Sequence, residues 1–548
     1  MCHCGINIGS VVNVPEVVEY AKTLPNVAHA ERNLYTCSSE GLRKIKEAIE
    51  KYNLNRVIVA SCTPRTHEPL FRATCEEAGV NKYLFEMANI REQCSWVHSH
   101  EPKKATEKAK EIIRMAVAKA RLLQPQEEPE IDVRPSALVI GGGISGLTAA
   151  LCLANQGFKV HVVEKEPELG GLLKKVHKLY PSMEDASKVL KNAIKAVKSS
   201  KDITVLTSTI IKNMKGFIGN FDVTVQTGKQ NPQTIQVGTI IVASGATSLE
   251  PIGMFGYGES KNVITQLQLE ELLKTGKLKK PKRVVMIQCV GARQETGRTY
   301  CSRVCCMTAL KNSMLIKELN PDTDIYILYR ELQTYGKEYE EWHRMAQDKG
   351  IKFIKYALER PPEVTTTPNG KLSVKVHHAL LDEEITIESD LVVLSTPMIQ
   401  HEDGKALSQM LKVPLGADGF FLEAHVKLRP IDFASDGIFV CGTAHSPKDV
   451  AESIAQAYGA ASRASIPMAL KRLRTEAITS SVDESLCSGC GTCVKLCPYG
   501  AIEKDQKGVA KVTAVVCKGC GVCAATCPER AITMRHFTNE QIIAQALA

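Results

Sequence analysis

The run from Ala137 to Glu164, ALVIGGGISGLTAALCLANQGFKVHVVE, allows few folds. An apolar strand enters Gly141, Gly143 and Gly146, an alanine-rich helix follows, and a second strand ends at Glu164. Gly141 suits a tight turn, Gly143 a close backbone approach to a pyrophosphate, and Gly146 close packing of helix on strand, with the helix N-terminus facing the phosphates. Glu164 is the residue expected to accept from ribose hydroxyls. Ile144 and Ser145 open the helix and Lys165 follows the acid, so all three are candidate contacts. A lone GxGxxG says little. Here the strand, the helix and the acid are all in place, and a dinucleotide is expected. The apolar run to Ala154 approaches the length of a membrane span, but its four glycines, Ser and Thr read as strand, turn and helix, and no span is expected.

The next residues favour FAD over NAD. Glu166-Pro-Glu-Leu-Gly170-Gly171-Leu172 resembles the flavoprotein pattern in which a glycine pair follows the ribose acid. TIIVASGAT (239–247), with Ser244 and Gly245, resembles a strand of two-dinucleotide-domain flavoproteins. GIFVCGTAHSPKDVAESIAQAYGAASRA (437–464) resembles their last FAD segment; Gly442, Thr443 and Ala444 form its turn, with Thr443 where an acid is usual. An FAD domain is expected over 136–280 and 405–475.

The second domain, expected over 281–404, carries the anomaly. KRVVMIQCVGAR (282–293) and TDIYILYR (323–330) read as the first two strands of an NAD(P)H-type domain. Where a second glycine loop belongs, the chain instead has Cys289, Cys301, Cys305 and Cys306, with a single glycine beside Cys289. A nicotinamide pyrophosphate would lose both its turn and its close backbone approach, so the fold is expected to remain and the nucleotide to be lost. Four thiolates suit an iron–sulfur cluster; a redox-active dithiol is the rival reading.

At the C-terminal end, Cys487-x2-Cys490-x2-Cys493-x3-Cys497-Pro recurs thirty residues later as Cys517-x2-Cys520-x2-Cys523-x3-Cys527-Pro. This is the two-cluster ferredoxin spacing, in which the fourth cysteine of each run ligates the other cluster. Cys487, Cys490, Cys493 and Cys527 are therefore expected around one [4Fe-4S] cluster and Cys517, Cys520, Cys523 and Cys497 around the other, within 480–548. Gly489, Gly491, Gly519 and Gly521 let backbone amides approach the sulfurs.

Residues 1–123 read as a small α/β domain: a helical pattern over 39–52, a buried strand over 55–62, and a closing helix from about Lys103 to Leu123. QPQEEPEIDVRP (124–135), with three prolines and four acids, reads as a linker. Cys4, Cys37, Cys62 and Cys94 could converge on a cluster; buried free thiols are the alternative. His67, His98 and His100 read as structural and Trp96 as core. Without a secretory leader pattern, twenty cysteines point to metal or redox use rather than disulfides, and the cytoplasm is the expected location. The net charge of +9 comes from Lys and Arg interleaved with acids, as in KKATEKAKEIIR, which reads as solvated helix faces and not as a nucleic-acid stripe.

CHCGINI, LNRVIVASCTPRTHEPLF, YLFEMANIREQCSWVH, the GGGISG loop, QCVGAR with YCSRVCCMTALKN, and the two ferredoxin runs together resemble the A-type subunit of heterodisulfide reductase. The resemblance covers nearly the whole chain. It implies an α/β multidomain protein: a thioredoxin-reductase-like core of two dinucleotide domains between a small N-terminal α/β domain and a 2[4Fe-4S] ferredoxin domain. It also implies an N-terminal cluster on Cys4, Cys37, Cys62 and Cys94 with Cys2 as the spare, a central cluster beside FAD, and Lys311 near the isoalloxazine. With no cysteine between Cys152 and Cys289, the chain matches the short form without an inserted ferredoxin.

The activity so implied is that of an oxidoreductase subunit that divides an electron pair between a disulfide-reducing partner and ferredoxin. The implied partners are B- and C-like subunits, ferredoxin, and a hydrogenase-, formate- or NADH-linked input subunit, with a homodimer inside a larger complex. A non-bifurcating electron-transfer and assembly subunit is a second reading. An NAD(P)H-dependent flavoprotein resembling the glutamate synthase small subunit is a third.

Overall fold

Parallel strands joined by buried helices organise most of the chain. The computed structural model describes residues 1–548, which divide into two compact units, one of residues 1–130 with 474–548 and one of residues 131–473.

In the first unit, strands β1 (Val57–Ser61) and β2 (Phe85–Asn89) pair in parallel. Helices α1 (Ser39–Tyr52), α2 (Pro64–Glu77) and α3 (Pro102–Ala120) pack around them. Ser38 and Thr63 cap α1 and α2 through their hydroxyls, and Pro64 and Pro102 open α2 and α3, where the missing N–H costs nothing. The acidic stretch after α3 is fastened down rather than free: Asn81 donates to Gln126 O at 2.9 Å, and Glu128 holds both Lys82 and the Tyr83 hydroxyl at 2.6 Å. Its first residues thus belong to this unit, which corrects their reading as linker.

The second unit contains two five-stranded parallel sheets. Its first sheet uses β3 (Ser136–Ile140), β4 (Lys159–Val163), β5 (Ile203–Leu206) and β6 (Thr239–Val242), with α4 (Ile144–Asn155) crossing from β3 to β4. The second sheet uses β7 (Val263–Thr265), β8 (Arg283–Ile287), β9 (Asp324–Tyr329), β10 (Lys352–Lys355) and β11 (Leu391–Leu394), with α5 (Cys305–Leu319) crossing from β8 to β9. The chain then returns to the first sheet with β12 (Ile438–Val440) and the long helix α6 (Val450–Leu470). The strand orders are β12-β6-β3-β4-β5 and β7-β11-β8-β9-β10. Central strands are apolar on both faces, as all-parallel sheets require. Because β7 lies beside β11, residues 263–274 belong with the second sheet, and the boundary at 280 is corrected toward the N-terminus. Asp449 and Glu452 form a capping box on α6, which packs by Ala457, Ala460, Ala461 and Ala464.

Residues 474–548 return to the first unit as two short antiparallel pairs, Ser480–Val482 with Ile532–Met534 and Ile502–Lys504 with Ala510–Val512. The terminal helix α7 (Asn539–Ala546) packs on α3, and Gln541 donates to Leu122 O at 3.0 Å. Glu86 of β2 holds Lys119 at 2.8 Å and the buried His536 at 3.5 Å, while Lys119 lies 4.0 Å from the Phe537 ring. None of the helices is long and apolar enough to cross a membrane.

Candidate functional site

A cavity of about 530 Å³ runs past the carboxyl ends of the first sheet's strands, where open α/β sheets bind ligands. Gly141, Gly143, Ile144, Ser145, Glu164, Lys165, Gly170, Gly171, Leu172, Ser244, Gly245 and Thr443 line it. Gly146, Gly442 and Ala444 are not among its lining residues, although a Cβ on Gly442 would lie 2.2 Å from Ser145 Oγ. A Cβ on Gly141 would lie 2.2 Å from Ala243 O, and one on Gly146 would lie 1.9 Å from Gly141 O. At Gly143 a Cβ would meet nothing within 4 Å, so backbone there faces open space at the α4 N-terminus. Glu164 accepts from Gly142 N–H at 2.7 Å and from Glu166 N–H at 2.9 Å, which fixes its carboxylate at the wall. The Ser244 hydroxyl is buried without a partner and lines the same space. These are the features an FAD pyrophosphate and ribose need, and the residues fit the group.

The second sheet supplies the far wall through Gln266, Glu270, Cys305, Thr308 and Lys311. Lys311 of α5 is 1% exposed and is ion-paired with Glu270; it also donates to Lys178 O at 2.7 Å. Glu270 accepts from His177 N–H at 2.8 Å. Burial pushes the Lys311 ammonium down, and Glu270 opposes that by stabilising the charge. Glu270 has no motif around it. It is one of two adjacent acids in QLQLEELLK, and only the packing of that helix turns it inward.

Between β8 and α5, seventeen residues replace what a glycine turn does in three after β3. Cys289 takes φ 61°, left-handed backbone at a position where a nucleotide loop has glycine. Cys289, Cys301, Cys305 and Cys306 line one small hollow with Arg293, Arg303 and Glu331. Cys305 also lines the large cavity. Burial and then the neighbouring thiols push Cys305 far up, and burial likewise lifts Cys306 to about 12. Cys305 and Cys306 are therefore held as thiols unless a cation binds beside them. Nowhere in the chain do three His, Cys, Asp or Glu side chains gather closely enough for a single metal ion. Four cysteines around one hollow fit a cluster.

The ferredoxin cysteines separate into two hollows across the repeat. Cys487, Cys490, Cys493 and Cys527 line one, and Cys497, Cys517, Cys520 and Cys523 line the other. Ala501 N–H donates to the Cys497 sulfur at 3.3 Å, a contact of the kind that tunes cluster potential.

The N-terminal set differs from the expected one. Cys94 is fully buried in the core against α3, where its thiol donates to Ala105 O at 3.0 Å and burial lifts it to about 11. Its sulfur is engaged by α3 and is not among the thiols that act on Cys37 and Cys62, which disfavours the expected role as a ligand. Cys2 is the cysteine grouped with Cys4 and Cys37: Thr36 N–H and Cys4 N–H donate to its sulfur at 3.4 and 3.3 Å. Burial, then the Cys2 and Cys4 thiols, raise Cys37, and Cys62 also feels Cys4. Arg91 donates to the Cys4 sulfur at 3.4 Å, and its guanidinium lies 4.9 Å from the Trp96 ring. Trp96 is half exposed as the platform for that cation rather than part of the core.

Known proteins align with these parts. The family model of pyridine nucleotide-disulphide oxidoreductases matches residues 135–464, and that of the 4Fe-4S dicluster domain matches residues 480–534. The chain is 42% identical to the second iron-sulfur A-type subunit of the CoB–CoM heterodisulfide reductase of Methanopyrus kandleri, covering 100% of this chain and 97% of that protein. It is 40% identical to the A-type subunit of the H(2):CoB-CoM heterodisulfide,ferredoxin reductase of Methanothermobacter marburgensis, covering 100% and 96%. The first alignment spans 640 positions against 548 residues here, so that relative carries residues this chain lacks. Among solved structures, a thioredoxin reductase of T. acidophilum is similar at 18% identity and TM-score 0.42, covering 61% of this chain and 98% of that one.

Proposed function

The chain belongs to the family of heterodisulfide reductase A-type subunits and is a flavin- and iron–sulfur-dependent oxidoreductase, and on that premise we propose that it divides an electron pair between a disulfide-reducing partner and ferredoxin. The observation that carries this reading is Cys305, whose side chain belongs both to the cavity suited to FAD and to the four-cysteine hollow. FAD, when bound, exchanges electrons in pairs or singly, and [4Fe-4S] clusters exchange them singly.

The residues have distinct parts in the proposal. The Gly141 to Gly146 loop and Glu164 hold the dinucleotide. Lys311, steadied by Glu270, keeps a positive charge at the cavity wall and favours negative charge gathering there. Cys289, Cys301, Cys305 and Cys306 hold a cluster beside the cavity. The ferredoxin cysteines hold two more, and Cys2, Cys4, Cys37 and Cys62 hold a fourth. The proposed domains are the N-terminal domain, the FAD domain, the second dinucleotide-type domain that has exchanged its nucleotide for a cluster, and the ferredoxin domain. The proposed setting is a cytoplasmic complex with B- and C-like subunits and an electron-input subunit, built around a homodimer.

The test is ferredoxin reduction by the assembled complex, with and without a heterodisulfide acceptor. The proposal expects ferredoxin to be reduced only while disulfide is consumed. Equal rates without the acceptor would favour the non-bifurcating electron-transfer role. Rapid bleaching of the flavin by NADH would revive an NAD(P)H-dependent activity, which the long cysteine loop after β8 disfavours.

A further inference from the structure

The turn between β12 and α6 carries a column of charge that has no part in the electron path proposed for the chain. Lys448 lines the large cavity and is 8% exposed. Its ammonium donates to the Ser446 hydroxyl, to Ser446 O at 3.4 Å and to His445 Nδ1 at 3.2 Å. Gln456 Nε2 also donates to Nδ1, at 2.8 Å, so the His445 proton sits on Nε2 and is donated to Glu423 at 2.8 Å. Glu423 and His445 retain partial exposure, which leaves the outer end of the column open to water. Gln456 Oε1 meanwhile accepts from Gly442 N–H at 2.9 Å, tying the column to the turn that holds Thr443 at the cavity wall.

Every neighbouring element adds charge. Arg303 of the cysteine loop donates to Pro447 O at 3.3 Å and pairs with Glu452 of α6. Asp449 caps α6 and accepts from the Tyr339 hydroxyl, Asp418 faces His445, and the Cys441 thiol lies on the β12 side. Burial, then Arg303, push Lys448 down to about 8, against the pull of Glu452, Cys441 and Glu423. Burial, then Lys448, lower His445. Burial alone would raise Glu423, but the hydrogen bond from His445, a backbone hydrogen bond and the charges of His445 and Lys448 together outweigh it and hold the carboxyl low. Near neutral pH the column is therefore ammonium, neutral imidazole and carboxylate.

We propose that Lys448 is a proton-exchanging cation of the cavity, with His445 and Glu423 as the positioning pair that carries its proton to and from water. The inference rests on FAD as the cavity's occupant. Lys448 releases one proton to Nδ1 while Nε2 passes its own to Glu423 and on to solvent; the reverse transfers restore the ammonium, and no electron moves along the column. Negative charge arriving in the cavity favours the ammonium, so above about pH 8 reduction draws one proton onto Lys448.

The test is the two-electron midpoint potential of flavin in the full-chain holoprotein, followed against pH for the wild type, Lys448→Arg and Lys448→Met. The wild-type line should steepen above about pH 8 by one proton per electron pair. That is tenfold in the reduction equilibrium per pH unit, about 30 mV for a two-electron couple. The arginine variant stays charged and the methionine variant neutral, so both should lack the steepening. His445→Gln should keep it but slow the proton uptake that follows a potential step. Steepening that persists in either Lys448 variant with flavin bound overturns the inference alone. A holoprotein purified without flavin overturns the reading of the cavity, and this inference with it.

Discussion

Lys311→Met removes one partner of an ion pair whose two side chains are 2% and 1% exposed. It leaves the Glu270 carboxylate buried with the His177 N–H as its partner and Lys178 O without its ammonium donor. Breaking a buried pair from one side costs about 3 to 5 kcal/mol, because the remaining charge stays desolvated. Glu270→Met strands the ammonium at a similar cost. Changing both residues to methionine removes both charges and leaves two backbone groups unpaired at about 1 to 3 kcal/mol each, partly offset by apolar packing of similar volume. The double variant should therefore lie well above the sum of the two single losses. At about 2 °C per kcal/mol for a large domain, each single change should lower the unfolding midpoint of flavin-stripped protein by roughly 6 to 10 °C. Thermal unfolding of the four proteins closes the cycle. Silent single variants, or a double variant equal to their sum, would refute a buried coupled pair. With flavin restored, Lys311→Met should also change the flavin potential, and an unchanged potential and turnover would remove Lys311 from the site.

Two further expectations follow from the thiols and from Lys448. Cys2→Ala should cost the protein one cluster, about four iron atoms, while Cys94→Ala should keep full iron and lose only core packing; iron analysis of the two variants decides between them. Lys448 has its folded value below its unfolded value, so its destabilising cost is complete below about pH 8 and is lifted as pH rises toward its ordinary range near 10.5. Flavin-stripped wild type should thus gain about 3 kcal/mol relative to Lys448→Met across that window. Urea unfolding at pH 7 and pH 10 measures the difference, and equal changes in the two proteins would count against it.

How much of this was readable in advance depended on whether function sat in consecutive residues. The glycine loop, its acid and the ferredoxin repeat are local devices, because backbone approach and cross-ligation need fixed spacings. The central cysteines were readable as an intrusion into a familiar strand–turn–helix unit. The choice of Cys94 as ligand and Cys2 as spare does not match the packing, because spacing does not say which way each side chain faces after β1, β2 and α3 have packed. Glu270, His445, Glu423 and Lys448 are single polar residues without motif, drawn together only by tertiary structure. The stretch 124–130 looked like linker by its prolines and acids, yet Lys82, Asn81 and Tyr83 supply the partners that hold it.

In the proposed function, the loop after β8 has exchanged a nucleotide for a cluster at the edge of the flavin cavity. Iron content of anaerobically purified Cys305→Ala, read beside the spectroscopic signals of the ferredoxin clusters, tests it most directly. The variant should lose about four iron atoms per chain with the ferredoxin signals intact. Full iron content in that variant would contradict it.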